Sequence, residues 1–222
     1  MRILICNAKS WFDLSEKDFN DHDVKTIKKE GDLSEAFVKE FDPDYIFFVH
    51  WHWKVSEAIH VKYTCILFHV APLPFGRGGT PIQNLILRGF ETSPVYALKM
   101  TSEIDAGPYY TKTEVSLSGN LAKIFSEISI VINQMMIEII YNDFVPQSQR
   151  GKEYIFKRLT EEDNEIPVNC ELSEIYDRVR MLDHDDYPNA FMHYGNLKLE
   201  FSNAAFIDDD VVVTCKIKKR KT

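Results

Sequence analysis

The chain has 222 residues, 45% of them hydrophobic, and a formal net charge of −8 at pH 7. Its size allows a full buried core in one large or two smaller domains, and its acidic balance argues against a nucleic-acid-binding protein, which normally presents a basic face. The four cysteines lack metal-ligand spacing, and no apolar run approaches the ~20 residues of a membrane-spanning helix. We therefore expect a cytoplasmic protein with no metal, membrane or nucleic-acid partner.

Apolar runs in the first quarter of the chain predict buried strands with a helix between them. Residues 2–6 and 45–49 are almost wholly apolar, as in strands covered on both faces, and residues 24–27 form a weaker strand. A capping-box pattern opens a helix over residues 33–41, whose apolar side chains share one face. No G-x-G-x-x-G follows the first strand, so a nicotinamide-binding protein is disfavoured.

An unusual run, His50-Trp51-His52-Trp53, follows the strand of residues 45–49 directly. The two histidines point to opposite faces if the strand continues. No cysteine or carboxylate stands at a supporting spacing either, so a metal site is disfavoured. In the simpler interpretation, the tryptophans cap the core and a histidine lies at a strand end.

The segment of residues 64–110 predicts two strands that each end beside a polar residue. Residues 64–68 predict a buried strand, residues 82–88 a helix, and residues 95–100 the next strand. His69 lies just past the first strand and Asp105 just past the second. Because the carboxyl ends of neighbouring parallel strands meet at one edge of an open sheet, we expect these two side chains to lie close together.

The rest of the chain predicts one long helix and then a smaller region of strands. Apolar residues recur at helical spacing over residues 120–141, and residues 145–151 suit a linker. A shorter helix is expected over residues 173–182, followed by strands at residues 190–194, 197–201, 205–207 and 211–217. We therefore predict an α/β fold, with a Rossmann-like, mostly parallel sheet in residues 1–148 and a small helix plus antiparallel β-meander in residues 149–222.

Four motifs between residues 69 and 107 occur in an order that resembles one known family. They are His69, Leu73-Pro74, Arg77-Gly78-Gly79-Thr80-Pro81-Ile82 and Ile104-Asp105-Ala106-Gly107. This order resembles the core of the formyltransferases that use 10-formyltetrahydrofolate, and the wording of residues 75–84 is most similar to the nucleotide-sugar N-formyltransferases. One position departs from the pattern, because the family's asparagine two residues before the histidine is Leu67 here.

The resemblance implies a catalytic pair and a folate site. His69 would act as general base, and Asp105 would orient it and stabilise its protonated form. The pterin of 10-formyltetrahydrofolate would be held largely by main-chain groups, with contacts at Arg77, Gly78, Gly79, Ile104 and Asp105. In the family, the asparagine that Leu67 replaces here helps to hold the oxyanion. Three other donors stay open for this chain: protonated His69, a backbone N–H of residues 70–79, or His50. His50 stands where the sugar enzymes often carry a His-Trp beside the pocket.

The resemblance also suggests the amine that receives the formyl group. Members that act on tRNA carry a larger, basic C-terminal barrel, whereas the 71 residues after the linker (222 − 151) include an acidic cluster here. We therefore expect a nucleotide-linked amino-deoxy sugar, carried on UDP or dTDP. Its diphosphate needs cations, for which Lys157, Arg158 and Arg180 are candidates, and Tyr187 is a candidate for stacking on the base. For each of them, an ordinary surface contact is the alternative interpretation.

Two other functions stay open from the sequence. One is formylation of a carrier-bound aminoacyl group, because the formylation domains of peptide synthetases look alike. The other is a catalytically inactive folate- or nucleotide-binding module, which Leu67 suggests. Dimers are common among relatives, so a homodimer is a further open expectation.

Overall fold

The molecule, described for residues 1–220 by a computed structural model, contains eleven strands and five α-helices over that range. In chain order the strands are β1 (Arg2–Asn7), β2 (Asp23–Ile27), β3 (Tyr45–Val49), β4 (Cys65–Val70), β5 (Phe75–Gly78), β6 (Thr92–Lys99), β7 (Tyr109–Ser116), β8 (Tyr154–Phe156), β9 (Ala190–Tyr194), β10 (Leu197–Ile207) and β11 (Asp210–Lys219). The helices are α1 (Glu35–Phe41), α2 (Glu57–His60), α3 (Pro81–Ile86), α4 (Leu121–Tyr141) and α5 (Leu172–Arg180).

A six-stranded sheet with the order β2-β1-β3-β4-β6-β7 forms the centre of the fold. The first four strands of this order are parallel, and β6 and β7 are each antiparallel to the strand before them. A separate antiparallel sheet, β11-β10-β9, follows near the C-terminus. The predicted α/β class with a C-terminal antiparallel meander is therefore confirmed.

Both faces of the central sheet are buried, which explains the nearly continuous apolar character of its inner strands. Along β1, Ile3 and Ile5 belong to one apolar cluster and Leu4 and Cys6 to the other. This alternation is the period-two geometry of a strand. Helix α4 covers the first cluster, and α1 contributes to the second.

Helix α4 is the main element that covers the sheet on the side of the first cluster. It begins where the sequence predicted, because Asn120 accepts a hydrogen bond from the N–H of Lys123 at 3.0 Å and so caps the first turn. The expectation that no segment is long and apolar enough to cross a membrane is wrong, because α4 has both properties. However, 61% of its most apolar 18 residues are buried inside the molecule, which assigns the helix to the core.

The direction of β6 differs from the prediction. It begins at Thr92 and runs antiparallel to β4, so its end at Lys99 lies beside Ile66 near the start of β4. His69 therefore lies inside β4, opposite Tyr96, rather than beyond its end. An apolar run predicts a buried strand but not the direction in which it pairs, and this is why the expected meeting of strand ends is wrong.

The loop of residues 100–108 brings Asp105 back along the sheet. The N–H of Lys99 donates to the carbonyl of Pro108 at 2.8 Å, which closes the base of the loop. At Gly107, a Cβ would lie 1.8 Å from the carbonyl oxygen of Lys99. Only glycine fits there, because that separation is far below a van der Waals contact.

The C-terminal region is joined to the first part of the molecule by a strand pairing. Strand β8 pairs in parallel with β5, a pairing that the sequence did not predict. Helix α5 lies on the sheet of β9–β11. The predicted strands at residues 197–201 and 205–207 are one strand, β10, with a bulge between Ser202 and Ala205. The division of the chain into two domains at residue 148 stays a prediction. The last two residues of the chain, 221 and 222, lie outside the described range.

Candidate active site

His69 and Asp105 lie in contact near the middle of the molecule. The Nδ1 atom of His69 is 3.4 Å from an Asp105 carboxylate oxygen, and its Nε2 is 2.8 Å from the carbonyl oxygen of Gly76. The two side chains are only 8% and 14% exposed. Both neighbours of the ring accept hydrogen bonds, so a neutral imidazole donates to only one of them, whereas the protonated ring donates to both. The ring of His69 is therefore oriented by two acceptors, one at each nitrogen.

Asp105 is held by the backbone of β5. The carboxylate oxygen that faces His69 also accepts a hydrogen bond from the N–H of Gly78 at 2.9 Å. Gly78 has a φ of +97°, and a Cβ there would lie 2.9 Å from the carbonyl oxygen of Phe156. Asp105 itself has a φ of 51°, in the left-handed region that few non-glycine residues adopt. The carboxylate is thus placed by a backbone conformation that needs support from its neighbours.

That support comes from Gln149, a residue that the sequence analysis left in the linker. Its Nε2 donates to the carbonyl oxygens of Asp105 at 2.7 Å and Gly107 at 2.9 Å. Its Oε1 accepts from the guanidinium of Arg77 at 2.8 and 3.1 Å. Nothing in the local sequence distinguishes Gln149 from Gln147, because both lie in the same polar segment.

The five residues expected to contact folate lie in two neighbouring segments, β5 with the residue after it and the loop of residues 100–108. Arg77 is turned inward, with Nη1 at 3.2 Å from Glu153 in addition to its bonds with Gln149. Ile104 is 76% exposed beside the nearly buried Asp105. Gly79 packs so closely that an added Cβ would lie 2.6 Å from the Cβ of Arg158. Ile104 is therefore the exposed apolar side chain of this set, whereas Gly78 and Gly79 pack against the chain around β8 and the Arg77 side chain is engaged within the protein.

His50 lies at the end of β3 and is held by aromatic rings. It adopts a φ of 50° and packs edge-on against Trp11 and Phe125, with ring centroids 5.7 and 6.3 Å apart. Burial, with smaller contributions from Lys9 and His52, lowers the pKa of His50 from 6.5 to about 4. The ring is therefore neutral at pH 7. Within residues 1–220, no hydrogen bond joins it to His69.

Leu67 leaves the position of the family's asparagine without a polar side chain. It pairs with Phe48 on one side and Leu98 on the other and packs against both apolar clusters. Over the described part of the chain, no group of three or more His, Cys, Asp or Glu side chains could hold a metal ion.

Two of the four residues expected to bind the acceptor lie near His50. Arg158 is exposed, and its charge helps to lower the pKa values of His50 and His52. Burial raises the pKa of Tyr187, and Lys9 lies over its ring at 5.4 Å. Lys9 also lowers the pKa of His50 and was missed by the sequence analysis. Its position after β1 was a usable signal, because loops at the carboxyl ends of parallel strands line the sites of such sheets.

The other two acceptor candidates are placed differently. Lys157 is 81% exposed, and its ammonium is 3.9 Å from Asp163. The guanidinium of Arg180 is buried and donates to the carbonyl oxygens of Leu117 and Gly119, with a further contact to Asp177. Arg180 therefore joins α5 to the connection between β7 and α4, and its guanidinium is engaged within the protein.

A wide cleft lies elsewhere on the molecule. It has a volume of about 820 Å³ and runs between residues 11–18 and α4. Trp11 and Phe125, which pack on His50, form part of its wall, but neither His69 nor Asp105 lines it. The contact between His69 and Asp105 thus lies outside this cleft.

Comparison with known proteins gives matches along nearly the whole chain. A family model described as the C-terminal domain of methionyl-tRNA formyltransferase matches residues 161–218. A methionyl-tRNA formyltransferase of Ehrlichia ruminantium (strain Welgevonden) is 28% identical over 185 residues, which cover 81% of this chain and 59% of that protein. The chain therefore spans less than two thirds of the length of this curated relative.

Solved structures extend the comparison. A methionyl-tRNA formyltransferase structure from Clostridium thermocellum is 36% identical, has a TM-score of 0.92 and is matched over 99% of both chains. The fold is shared by HypX from Aquifex aeolicus in complex with tetrahydrofolic acid, which is 18% identical with a TM-score of 0.76. That match covers 92% of this chain and 38% of the HypX chain. A sugar N-formyltransferase from Shewanella also shares the fold, at 14% identity and a TM-score of 0.69, and the match covers 93% of this chain and 98% of that one. The expectation that this chain is most similar to the nucleotide-sugar N-formyltransferases is therefore not supported.

Proposed function

This chain belongs to the formyltransferase family, and on that premise we propose that it transfers a formyl group from 10-formyltetrahydrofolate to the amine of a nucleotide-linked amino sugar. The match to the Clostridium structure over its full length supports the family. The observation that carries the reaction is the contact between His69 and Asp105 in a nearly water-free position. Leu67 does not disturb this pair.

The geometry suits a general base. Formation of the amide requires the amine to lose a proton as its nitrogen bonds to the formyl carbon. His69 takes that proton at Nε2, which must leave the carbonyl oxygen of Gly76 to receive it, and the carboxylate of Asp105 beside Nδ1 stabilises the resulting imidazolium. When the bond from the formyl carbon to the folate nitrogen breaks, His69 returns the proton to that leaving nitrogen. Atoms balance, because one amine loses the proton that the other gains.

The oxyanion needs a donor other than the side chain at position 67. Protonated His69 can supply one once its Nε2–H leaves the carbonyl oxygen of Gly76 for the oxyanion, because the ring carries a positive charge only while the negative charge exists. His50 is a weaker candidate. Its low pKa keeps it neutral, and no hydrogen bond ties it to His69 within the described residues. We therefore assign the role to His69.

The residues around the loop fit a folate. 10-Formyltetrahydrofolate supplies the formyl carbon, and its pterin is flat and partly apolar. The exposed side chain of Ile104 offers an apolar contact next to Asp105, whereas Gly78 and Gly79 are packed against the chain around β8. Because Arg77 is bound to Gln149 and Glu153, its contribution to the folate would come from its main chain.

Lys9, Arg158 and Tyr187 support a nucleotide-linked acceptor. Their positions around His50 combine two cations with an aromatic ring, the chemistry that recognises a diphosphate and a base. The chain as a whole is acidic, so such a local group is needed to attract an anionic substrate.

A second candidate is the amine of methionyl-tRNA. It is favoured by the curated relatives, which act on that substrate by name. Against it stands the net charge of −8, because a tRNA ligand requires a broad basic surface.

We place the reaction in the cytoplasm, since all four cysteines are free and burial raises the pKa values of Cys6 and Cys65.

A transfer assay tests the proposal. The protein is incubated with 10-formyltetrahydrofolate and with UDP- and dTDP-linked amino sugars or methionyl-tRNA, and products are identified by mass spectrometry. We expect a formylated nucleotide sugar, and we expect His69→Asn to lower kcat by about 10²- to 10⁴-fold. His60→Asn, a half-buried histidine at the end of α2, is the matched control.

Three results would redirect the proposal. Product from methionyl-tRNA alone would establish the second candidate. Folate binding without product from any acceptor would indicate an inactive binding module. Equal activity of the native protein and His69→Asn would contradict the catalytic role of His69.

A further inference from the structure

We propose that Gln149 is a positioning residue for Asp105, an inference that rests on the proposed function. The residue lies outside the motifs between residues 69 and 107 and 44 positions after Asp105. Within residues 1–220, no hydrogen bond joins its side chain to His69 or to the carboxylate that faces His69. Its effect on catalysis would act through the backbone of the loop that carries Asp105.

The amide of Gln149 uses its whole hydrogen-bonding capacity at this place. A primary amide has two N–H donors and an oxygen with two lone pairs. The donors go to the carbonyl oxygens of Asp105 and Gly107, and the oxygen takes both bonds from Arg77. The orientation of the amide is fixed by its partners, because carbonyls need a donor and a guanidinium needs an acceptor.

These bonds join the two segments between which the catalytic pair is formed. Arg77 belongs to β5, whose next residue, Gly78, donates to the Asp105 carboxylate. Asp105 belongs to the loop that returns from β6 and has the φ of 51°. Gln149 thus ties β5 to the loop and holds Asp105 in a conformation that its own backbone disfavours.

Substitutions at Gln149 separate hydrogen bonding from packing. Gln149→Met keeps the shape of the side chain and removes all four bonds. Gln149→Glu keeps the bond to Arg77 but cannot donate to the two carbonyls, and it provides the test if the methionine variant does not fold. Gln147→Met is the matched control, because Gln147 lies in the same segment and its side chain bonds only with the exposed hydroxyl of Tyr109.

We expect Gln149→Met and Gln149→Glu to lower kcat 10- to 100-fold while KM for folate and acceptor stays within threefold. In the Asp105→Asn background, Gln149→Met should change kcat by less than threefold, because its effect passes through Asp105. Multiplying effects in the double variant, or a lower melting temperature with unchanged kcat, would overturn the proposal.

A measurement without turnover keeps this test separate from the proposed function. Histidine ring signals are followed by NMR through a pH titration, with the His69 signal assigned by its loss in His69→Asn. Gln149→Met should move the titration midpoint of His69 in the same direction as Asp105→Asn, and Gln147→Met should leave it unchanged. An unmoved midpoint in Gln149→Met would refute the positioning role, even if the native protein formylates no acceptor.

Discussion

His50 is neutral at pH 7 because burial, more than its cationic neighbours, lowers its pKa from 6.5 to about 4. Between those two values the folded protein binds fewer protons at this residue than the unfolded chain does. The residue therefore contributes full stability above about pH 6.5, and that contribution is lost as the pH falls towards 4. The difference in pKa corresponds to about 3 kcal/mol of unfolding free energy.

Replacing His50 by Asn tests this dependence. Asparagine tolerates the left-handed φ of 50° and carries no titratable group. We expect the native protein to lose up to about 3 kcal/mol more than His50→Asn between pH 7 and pH 4. Urea unfolding at four pH values measures the difference, with His60→Asn as control. Parallel stability curves for the native protein and His50→Asn would contradict the assignment.

At the scale of the element, the loop of residues 100–108 depends on one glycine. An alanine at position 107 would place its methyl group on the carbonyl oxygen of Lys99, at the base of the loop that carries Asp105. We expect Gly107→Ala to lower the unfolding free energy by about 2 kcal/mol and to lower formyl transfer at least tenfold. Gly31→Ala is the control, because an added Cβ there meets nothing within 4 Å. Near-native activity of Gly107→Ala would show that the loop can shift without moving Asp105.

Helix α5 is attached to the first part of the molecule by Arg180. Without the guanidinium, the carbonyls of Leu117 and Gly119 lose a donor and Asp177 loses its charged partner. We therefore expect Arg180→Met to cost about 3 kcal/mol of stability and to leave KM for the acceptor unchanged. Arg178→Met, which removes an ion pair with Glu174 within the same helix, should cost less than about 1 kcal/mol. Calorimetry and steady-state kinetics decide between this structural role and the binding role that the sequence suggested. A higher KM in a stable Arg180→Met protein would favour binding.

At the scale of the whole molecule, the fold brings the charges of Lys9 and Arg158 close enough to His50 for both to lower its pKa. Each is proposed to contact a phosphate group of the acceptor. We expect Lys9→Met and Arg158→Met each to raise KM for the acceptor by about tenfold, which is about 1.4 kcal/mol of binding free energy. Neither change should lower kcat by more than a few fold. Lys152→Met, at an exposed position, is the control. An unchanged KM in both variants would remove these residues from the acceptor site.

Much of the architecture could be predicted because it depends on nearby residues. Apolar periodicity and the Asn120 cap placed α4 within one residue of its observed start. The motifs around His69 and Asp105 indicated a pair that the structure does bring together, although the reason offered for their contact was wrong. The strands meet in the opposite direction, and the loop supplies the contact instead.

The sequence by itself determined that the inner strands are buried, where α4 begins and which titratable residues belong to a formyltransferase motif, but it missed α2, β5 and β7. Only the tertiary structure decided the direction of β6, the inward turn of Arg77, the role of Arg180 and the presence of Gln149 beside Asp105. The physical reason is the range of the interactions. Periodicity and caps act over three or four residues. Arg180 and Leu117, by contrast, are 63 positions apart, and Gln149 and Asp105 are 44. Contacts between residues so far apart in the sequence form only when the whole chain folds around its core.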